Sequence, residues 1–360
     1  MVLNQEQQLL KDTIAGFLDE QAPVAALRKL RDGDGPGYDP ALWEQMVALG
    51  LPGTVLPETY DGLGFGWLGL GAVLEEAGRR LTASPLVSNV AVAASLILSA
   101  GNEAQKERWL KAIAAGERVF SLALDEGHHF DPNLCTATLS DGALNGRKTL
   151  VADALQADYL IVVCAAGVSA VVSTQAEGVT IEQRKFMDGR QFATVSFDNV
   201  SIAAADCLVT DHAAITHAID IGALSTAAEM IGGARELLER TVAFLNEREQ
   251  FDVKIGTFQA LQHRCAQMYC NLELAASAVL QALSRLDYGV TDISAMASTA
   301  KALTNDCYQL ISNEAVQMHG GMGVTDELDI GLFLKRSRVC NQLYGDASWH
   351  RNRYAQLKNL

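Results

Sequence analysis

The sequence predicts an α+β chain in three parts: an N-terminal all-α domain over 1–116, a central antiparallel β-barrel or sandwich over 117–210, and a C-terminal antiparallel four-helix bundle over 211–360. Two observations carry this. Apolar residues recur at spacings of three and four up to about residue 116, alternate in short runs to about 210, and return to the helical spacing afterwards. Asp-Gly and Asn-Gly pairs gather in the middle third, where hairpins need residues tolerant of positive φ.

In the first part, Leu9, Leu10, Thr13, Ile14, Phe17 and Leu18 mark one helix. Asp39 before Pro40 supplies an N-cap and a first-position proline, and Gly50 closes that helix about three turns later. Asn102 with Gln105 forms a capping box ahead of Trp109, Leu110 and Ile113. Between these helices, the glycines and prolines from Leu51 to Trp67 predict an elaborate loop without regular structure.

After Gly116 the runs Tyr159 to Cys164, Ser169 to Ser173 and Thr194 to Phe197 read as strands, with turns at Asp141-Gly142, Asn145-Gly146 and Asp188-Gly189. After Asp211 three long helices follow. Leu224, Ala228, Ile231, Ala234, Leu238, Val242 and Leu245 mark the first. Phe258, Leu261, Cys265, Met268, Leu272, Ala276, Val279 and Leu283 mark the second, and Met296, Ala300, Leu303, Cys307, Ile311, Ala315 and Met318 the third. Helices near thirty residues span roughly 45 Å, which suits an antiparallel bundle. Long helices with two apolar faces also need partners, so a dimer or dimer of dimers built through the bundles is expected.

Composition narrows the function. With 49% hydrophobic and 20% charged residues the chain is ordinary globular protein. A formal charge of −15 argues against nucleic acid or anionic lipid as a partner, so an anionic ligand must be held by a few local cations and backbone amides. The seven cysteines are scattered without a Cys-x-x-Cys pair, which predicts reduced thiols, a cytoplasmic setting and no metal site. The N-terminal residues lack a basic and apolar leader pattern, and the longest apolar stretch, near 91–100, is too short to span a bilayer.

Two bundle segments carry the chemistry. One reads Arg248-x-x-Phe251-Asp-x-x-Ile255-x-x-Phe258-Gln259 and the other, about sixty residues on, Gln317-x-x-Gly320-Gly321-x-Gly323. A diphosphate needs a cation and close backbone approach; Arg248 offers the first and two glycines without Cβ atoms permit the second. Taken singly, Arg248 also reads as a surface arginine beside Glu247 and Glu249, Phe251 as a hydrophobic cap, Gln259 and His263 as helix-face residues, and the double glycine as a C-cap and turn.

In register, these segments resemble the acyl-CoA dehydrogenase family, which typically reads Arg-x-x-Phe-Gly-x-x-Ile-x-x-Phe-Gln and then Gln-x-x-Gly-Gly-x-Gly. The loop Pro57-Glu58-x-Tyr60-Asp61-Gly62-x-Gly64 is similar to that family's N-terminal signature, so the resemblance spans nearly the whole chain. It implies an acyl-CoA dehydrogenase-like fold, FAD as cofactor, an acyl-CoA substrate, and an electron-transfer flavoprotein as acceptor. It also implies that Arg248, Phe251 and Gln259 hold the FAD of a neighbouring subunit, with Gln317, Gly320 and Gly321 on the adenosine side. The expected reaction is loss of the α-proton of a CoA thioester to a carboxylate with transfer of a β-hydride, giving the 2-enoyl-CoA, as in β-oxidation of lipids.

The carboxylate is not where the resemblance puts it. The sequence reads Tyr344-Gly345-Asp346, with glycine at the usual glutamate, and the alternative position corresponds to about Gly222. Asp346 is the first candidate base and also a candidate N-cap for a following helix; Glu229, two turns beyond Gly222, is the second, or else a buried structural acid. In the β-part, Leu124 to His129 and Lys148 to Val151 stand where the family presents a Thr-Glu-Pro-Gly-like segment and a Trp-Ile-Thr-like strand to the flavin. Such departures resemble the smaller subunits of heteromeric acyl-CoA dehydrogenases, including those for steroid side chains, and leave open a non-catalytic FAD-binding interaction subunit, homo- or hetero-oligomeric. A ferritin-like di-iron bundle would need paired Glu-x-x-His motifs; the sequence has one, Glu126 to His129, in the strand-rich third.

Overall fold

A computed structural model describes residues 3–33, 35, 37–165, 167–290 and 292–360. Helix α1 (Gln5–Gln21) opens on a reciprocal box in which Asn4 Oδ1 accepts the Gln7 N–H and Gln7 Oε1 accepts the Asn4 N–H. Helices α2 (Val24–Asp32) and α3 (Pro40–Ala48) follow, the latter capped by Asp39 and ended by Gly50 at φ +77°. The stretch expected to be irregular instead holds single 3₁₀ turns at Leu51–Gly53 and Glu58–Tyr60 before α4 (Gly66–Arg79) begins. Backbone bonds from Leu63 to Gly53 O and from Gly64 to Leu56 O organise it, and a Cβ at Gly62 would fall 2.0 Å from Leu56 O. A π-helical run, Leu86–Ala93, leads into α5 (Ala94–Ala100), and α6 (Glu103–Ala114) carries the expected Asn102–Gln105 box.

The strands are β1 (Phe120–Ala123), β2 (Thr138–Ser140), β3 (Ala143–Ala152), β4 (Tyr159–Cys164), β5 (Val168–Ser173), β6 (Val179–Lys185), β7 (Gln191–Ser201) and β8 (Cys207–Val209). They form two four-stranded sheets, ordered β1-β4-β5-β8 and β2-β3-β7-β6. Of the two forms expected, barrel or sandwich, the β-part does not close into a barrel; its pairs are antiparallel except one, β1 with β4, Phe120 opposite Tyr159, which run parallel because the chain builds β2 and β3 of the other sheet before returning. Asn145-Gly146 is not a turn but lies inside β3, where the register against β7 slips. Gly146 is required there at φ +145°, since a Cβ would stand 2.7 Å from Ala137. Asp141-Gly142 is the expected hairpin turn, both residues at positive φ.

Helix α7 (His212–Glu247) runs into a hairpin of β9 (Glu249–Gln250) and β10 (Val253–Lys254). Then come α8 (Gln259–Asp287), α9 (Ser294–His319), α10 (Ile330–Gln342) and α11 (Ala347–Lys358). No helix among the described residues is long and apolar enough to cross a membrane.

Contacts divide the chain into two units: Met1–Leu27 with Gly71–Thr82 and Ala223–Leu360, and Arg28–Leu70 with Ala83–Gly222. The second holds both sheets; Phe120, Leu160, Ile161, Val162, Ala193 and Val195 are fully enclosed in it. The first holds the bundle. Its core takes Met268, Leu272, Val279 and Leu283 from α8, whereas Phe258 and Tyr269 toward that helix's start remain exposed. Helices α4 and α7 cross at backbone contact: a Cβ on Gly78 would sit 1.9 Å from Glu229 O, and one on Gly232 1.8 Å from Glu75 O. Around this crossing, Arg79, Arg80 and Arg235 pair with Glu236, Asp19 and Glu273 and fasten α1, α4, α7 and α8 together.

Candidate functional site

The hairpin after α7 is shaped by its two turn residues. Gln250 pairs with Val253, leaving Phe251 and Asp252 in the turn at φ +56° and +63°. Both are left-handed without glycine, a conformation costing roughly 1–2 kcal/mol per residue. The consequence is presentation: Phe251 is 85% exposed, its ring set edge-to-face with that of Phe258 at 6.2 Å between centroids. Arg248 is exposed and its guanidinium has no partner among the described residues. Gln259, the first residue of α8, is exposed too.

The second segment follows α9. Gln317 lies exposed in its last turn, and Gly320 leaves the helix at φ +62°, ψ −141°, a combination open only to glycine. A Cβ on Gly320 or Gly321 would meet nothing within 4 Å among the described residues, which leaves room beside them for a ligand or another chain. The two segments arise at neighbouring helix ends because His319 stacks on Phe244, the residue four before Arg248, with ring centroids 4.2 Å apart. Burial pulls the His319 pKa down, which keeps the ring neutral, and Nδ1–H donates to Ala315 O. Sequence reading passed over this pair; a histidine inside Gln-x-x-Gly-Gly was the available signal.

Arg248, Phe251, Gln259, Gln317, Gly320 and Gly321 are thus all exposed. One unpaired guanidinium, two carboxamides, an outward ring and a glycine-bounded opening suit the diphosphate end of an anionic dinucleotide whose remaining contacts come from elsewhere.

The acid positions are arranged differently. Tyr344 and Gly345 have φ of +56° and +101°, and a Cβ on Gly345 would lie 2.6 Å from Cε3 of Trp349. Any side chain there, a glutamate included, collides with the indole. Asp346 caps α11, its Oδ1 accepting the Trp349 N–H at 2.7 Å. Glu229 is 4% exposed, and its Oε1 accepts from Nε and Nη2 of Arg336 at 2.9 and 2.7 Å. Such a pair is a structural charge couple, costly to break from one side. Gly222, on α7, offers no carboxylate.

In the β-sheet unit, Lys148 is fully buried and donates to Leu124 O and to Glu126 Oε1, the latter at 2.6 Å. Burial works against the Glu126 carboxylate, yet bonds from Lys148, Thr136 and Ala137 hold it down to about 2. Beside it, burial pushes the Asp125 carboxyl up to about 6 against the pull of Lys148, and its Oδ1 is enclosed without a hydrogen-bond partner among the described residues. Leu150, within the segment Lys148 to Val151, sits at φ +52° in a slip of the β3 register. The Glu126 to His129 motif places Glu126 on Lys148, and no three His, Cys, Asp or Glu side chains among the described residues gather as a metal site.

Comparison with known proteins bears on the family and the fold. Residues 4–117 match the model "Acyl-CoA dehydrogenase, N-terminal domain" and residues 212–357 the model "Acyl-CoA dehydrogenase, C-terminal domain". The chain is 30% identical over 345 residues to acyl-CoA dehydrogenase IpdE2 of Mycolicibacterium smegmatis, covering 95% of this chain and 96% of that one. It is 30% identical to acyl-CoA dehydrogenase FadE34 of Mycobacterium tuberculosis over 96% of its own length but 47% of FadE34. Among solved structures it resembles the Tcur3481-Tcur3483 steroid ACAD, at 28% identity and TM-score 0.90 over 99% of both chains.

Proposed function

Since the chain belongs to the acyl-CoA dehydrogenase family, we propose that it is the FAD-holding subunit of a heteromeric acyl-CoA dehydrogenase whose catalytic base comes from a partner chain. FAD is the cofactor of that family; when bound, it supplies the acceptor for the β-hydride of the thioester. Arg248 would neutralise its diphosphate, Gln259 and Gln317 would bond its polar edge, and Gly320 and Gly321 would admit it closely.

One observation carries the proposal: Gly345, the family's glutamate position, is a left-handed glycine whose Cβ direction is filled by Trp349. The other acids of this region are engaged, Glu229 with Arg336 and Asp346 with the Trp349 amide. The exposure of every FAD-facing residue supports completion by a second chain. Resemblance to a structure named for two proteins and for a steroid substrate supports a heteromer and makes steroid-type acyl-CoAs the first substrates to assay. Transfer of the electrons to an electron-transfer flavoprotein completes the reading.

The test is an assay of the purified chain with a dye acceptor, alone and co-expressed with a second dehydrogenase chain carrying a glutamate at the position of Gly345. Turnover is expected only from the pair. Turnover by the isolated chain on the order of 1 s⁻¹ or faster, in the usual enzymatic range, would sink the proposal. It would also favour a second reading in which Asp346 leaves its cap to act as base. In that case Asp346→Asn, which caps as well but takes no proton, should abolish turnover while stability is kept.

A further inference from the structure

The turn between α10 and α11 carries two consecutive left-handed residues, Tyr344 and Gly345. Such a bend persists only where its surroundings over-determine it. On α9, Lys301 has no accessible surface, and its Nζ donates to three oxygens. These are Asn305 Oδ1 at 2.8 Å, the Cys340 carbonyl at 2.9 Å and the Gly345 carbonyl at 3.3 Å. Three N–H groups meet three acceptors, the full capacity of an ammonium. The Cys340 carbonyl is among the last four of α10, which lack partners in their own helix and carry the negative end of its dipole. The neighbouring carbonyl of the turn, Tyr344 O, accepts from Nε2 of the buried His350 at 3.0 Å.

We propose that Lys301 is the positioning residue of this turn: its buried ammonium draws the end of α10 and the Gly345 carbonyl onto α9, and so sets the wall that Tyr344 to Asp346 present to the active site. Only the word "active" rests on the function proposed above; the placement of the turn is tested without substrate. The titratable groups facing the ammonium are Cys340 on α10, Asp346 in the turn and His350 on α11. Burial brings the Lys301 pKa down to about 7, opposed by Cys340 and Asp346. Only the protonated form fills all three acceptors, so the clasp should slacken as pH rises through that value.

Amide hydrogen exchange of the full chain tests this. Lys301→Met keeps the stem and removes the donors. At pH 6, exchange across 342–350 should accelerate about tenfold or more, because two carbonyls lose their buried partner, while 249–262 stays as in the wild type. Lys301→Ala should behave alike and be slowed again by added propylammonium, which leaves Lys301→Met unmoved. In the wild type, exchange of the same segment, corrected for intrinsic base catalysis, should rise between pH 6 and pH 8 and lie flat in Lys301→Met. That wild-type profile stands even if a variant fails to fold. Unaltered exchange in Lys301→Met, a flat wild-type profile, or an equal rise throughout the bundle would each overturn the proposal. None of these outcomes depends on whether the chain turns over an acyl-CoA.

Discussion

Phe244 and His319 stack face to face, their planes 26° apart, and thereby join the end of α7 to the end of α9. From these two ends the chain continues into Arg248 and into Gly320, the cation and the opening of the candidate FAD site. An aromatic pair of this kind contributes about 0.5–1.5 kcal/mol beyond its buried area. His319→Ala should therefore lower FAD retention on gel filtration, read by visible absorbance, and cost a few degrees in melting temperature. His319→Phe should restore both. Undiminished FAD in the alanine variant would mean that the two helix ends are aligned by other contacts.

Arg248 and Asp252 make opposite predictions from one hairpin. Arg248→Ala removes a charge-assisted partner of a diphosphate, worth about 1.5–3 kcal/mol, so FAD should bind roughly ten- to hundredfold more weakly. Asp252→Gly relieves a left-handed residue at φ +63° and removes a negative charge from the hairpin that carries Arg248. It should raise both FAD affinity and melting temperature. Equilibrium titration of the apoprotein with FAD measures both.

Restoring the family's acid at Gly345 should fail. A glutamate there takes on a strained φ of +101° and collides with Trp349, so Gly345→Glu should lose stability by at least 1–2 kcal/mol and gain no turnover. Appreciable dehydrogenation by that variant alone would show that the turn rearranges freely.

Much of this was legible in the sequence where the signal is local. The Asp39-Pro40 cap, the Asn102–Gln105 box and the Asp141-Gly142 turn each act within a few residues, and each is found as read. Asn145-Gly146 misled because the same dipeptide that makes a type I′ turn also makes a bulge. Ala137 pressing on Gly146, nine residues earlier in the chain, decides between them. The parallel β1–β4 pair was hidden because strand runs show no direction. At the candidate site the two motifs that carry the family resemblance stand in the sequence, and the six residues they propose for the cofactor are all exposed. The occlusion of Gly345 by Trp349, the Arg336 partner of Glu229 and the enclosure of Lys301 depend on tertiary contacts that no periodicity encodes.

Glu229 serves to separate structural from catalytic acids. Removing its charge breaks the buried pair with Arg336 from one side, a loss of about 3–5 kcal/mol. Glu229→Gln should therefore appear as a large fall in melting temperature, and the double variant Glu229→Gln with Arg336→Met should recover much of it. A catalytic Glu229 would instead lose turnover in both variants with stability little changed.

The acid side of the stability profile should be governed in part by His350. Burial, followed by the charges of Lys301 and Arg353, pulls its pKa from 6.5 to about 3, and its Nδ1 is enclosed without a hydrogen-bond partner among the described residues. A group whose folded pKa lies below its unfolded value binds protons more readily in the unfolded chain. Its neutral form therefore costs nothing above pH 6.5, while stability drains away as pH falls from 6.5 toward 3 and then levels off. Replacing the ring by one that cannot titrate removes that slope but forfeits the bond to Tyr344 O. His350→Phe should accordingly be less stable than the wild type at pH 7.5, with the gap closing as pH falls to 5. Melting temperatures measured at both values decide the matter: a gap that stays constant or widens on acidification would show that His350 is not the group whose protonation loosens this end of the bundle.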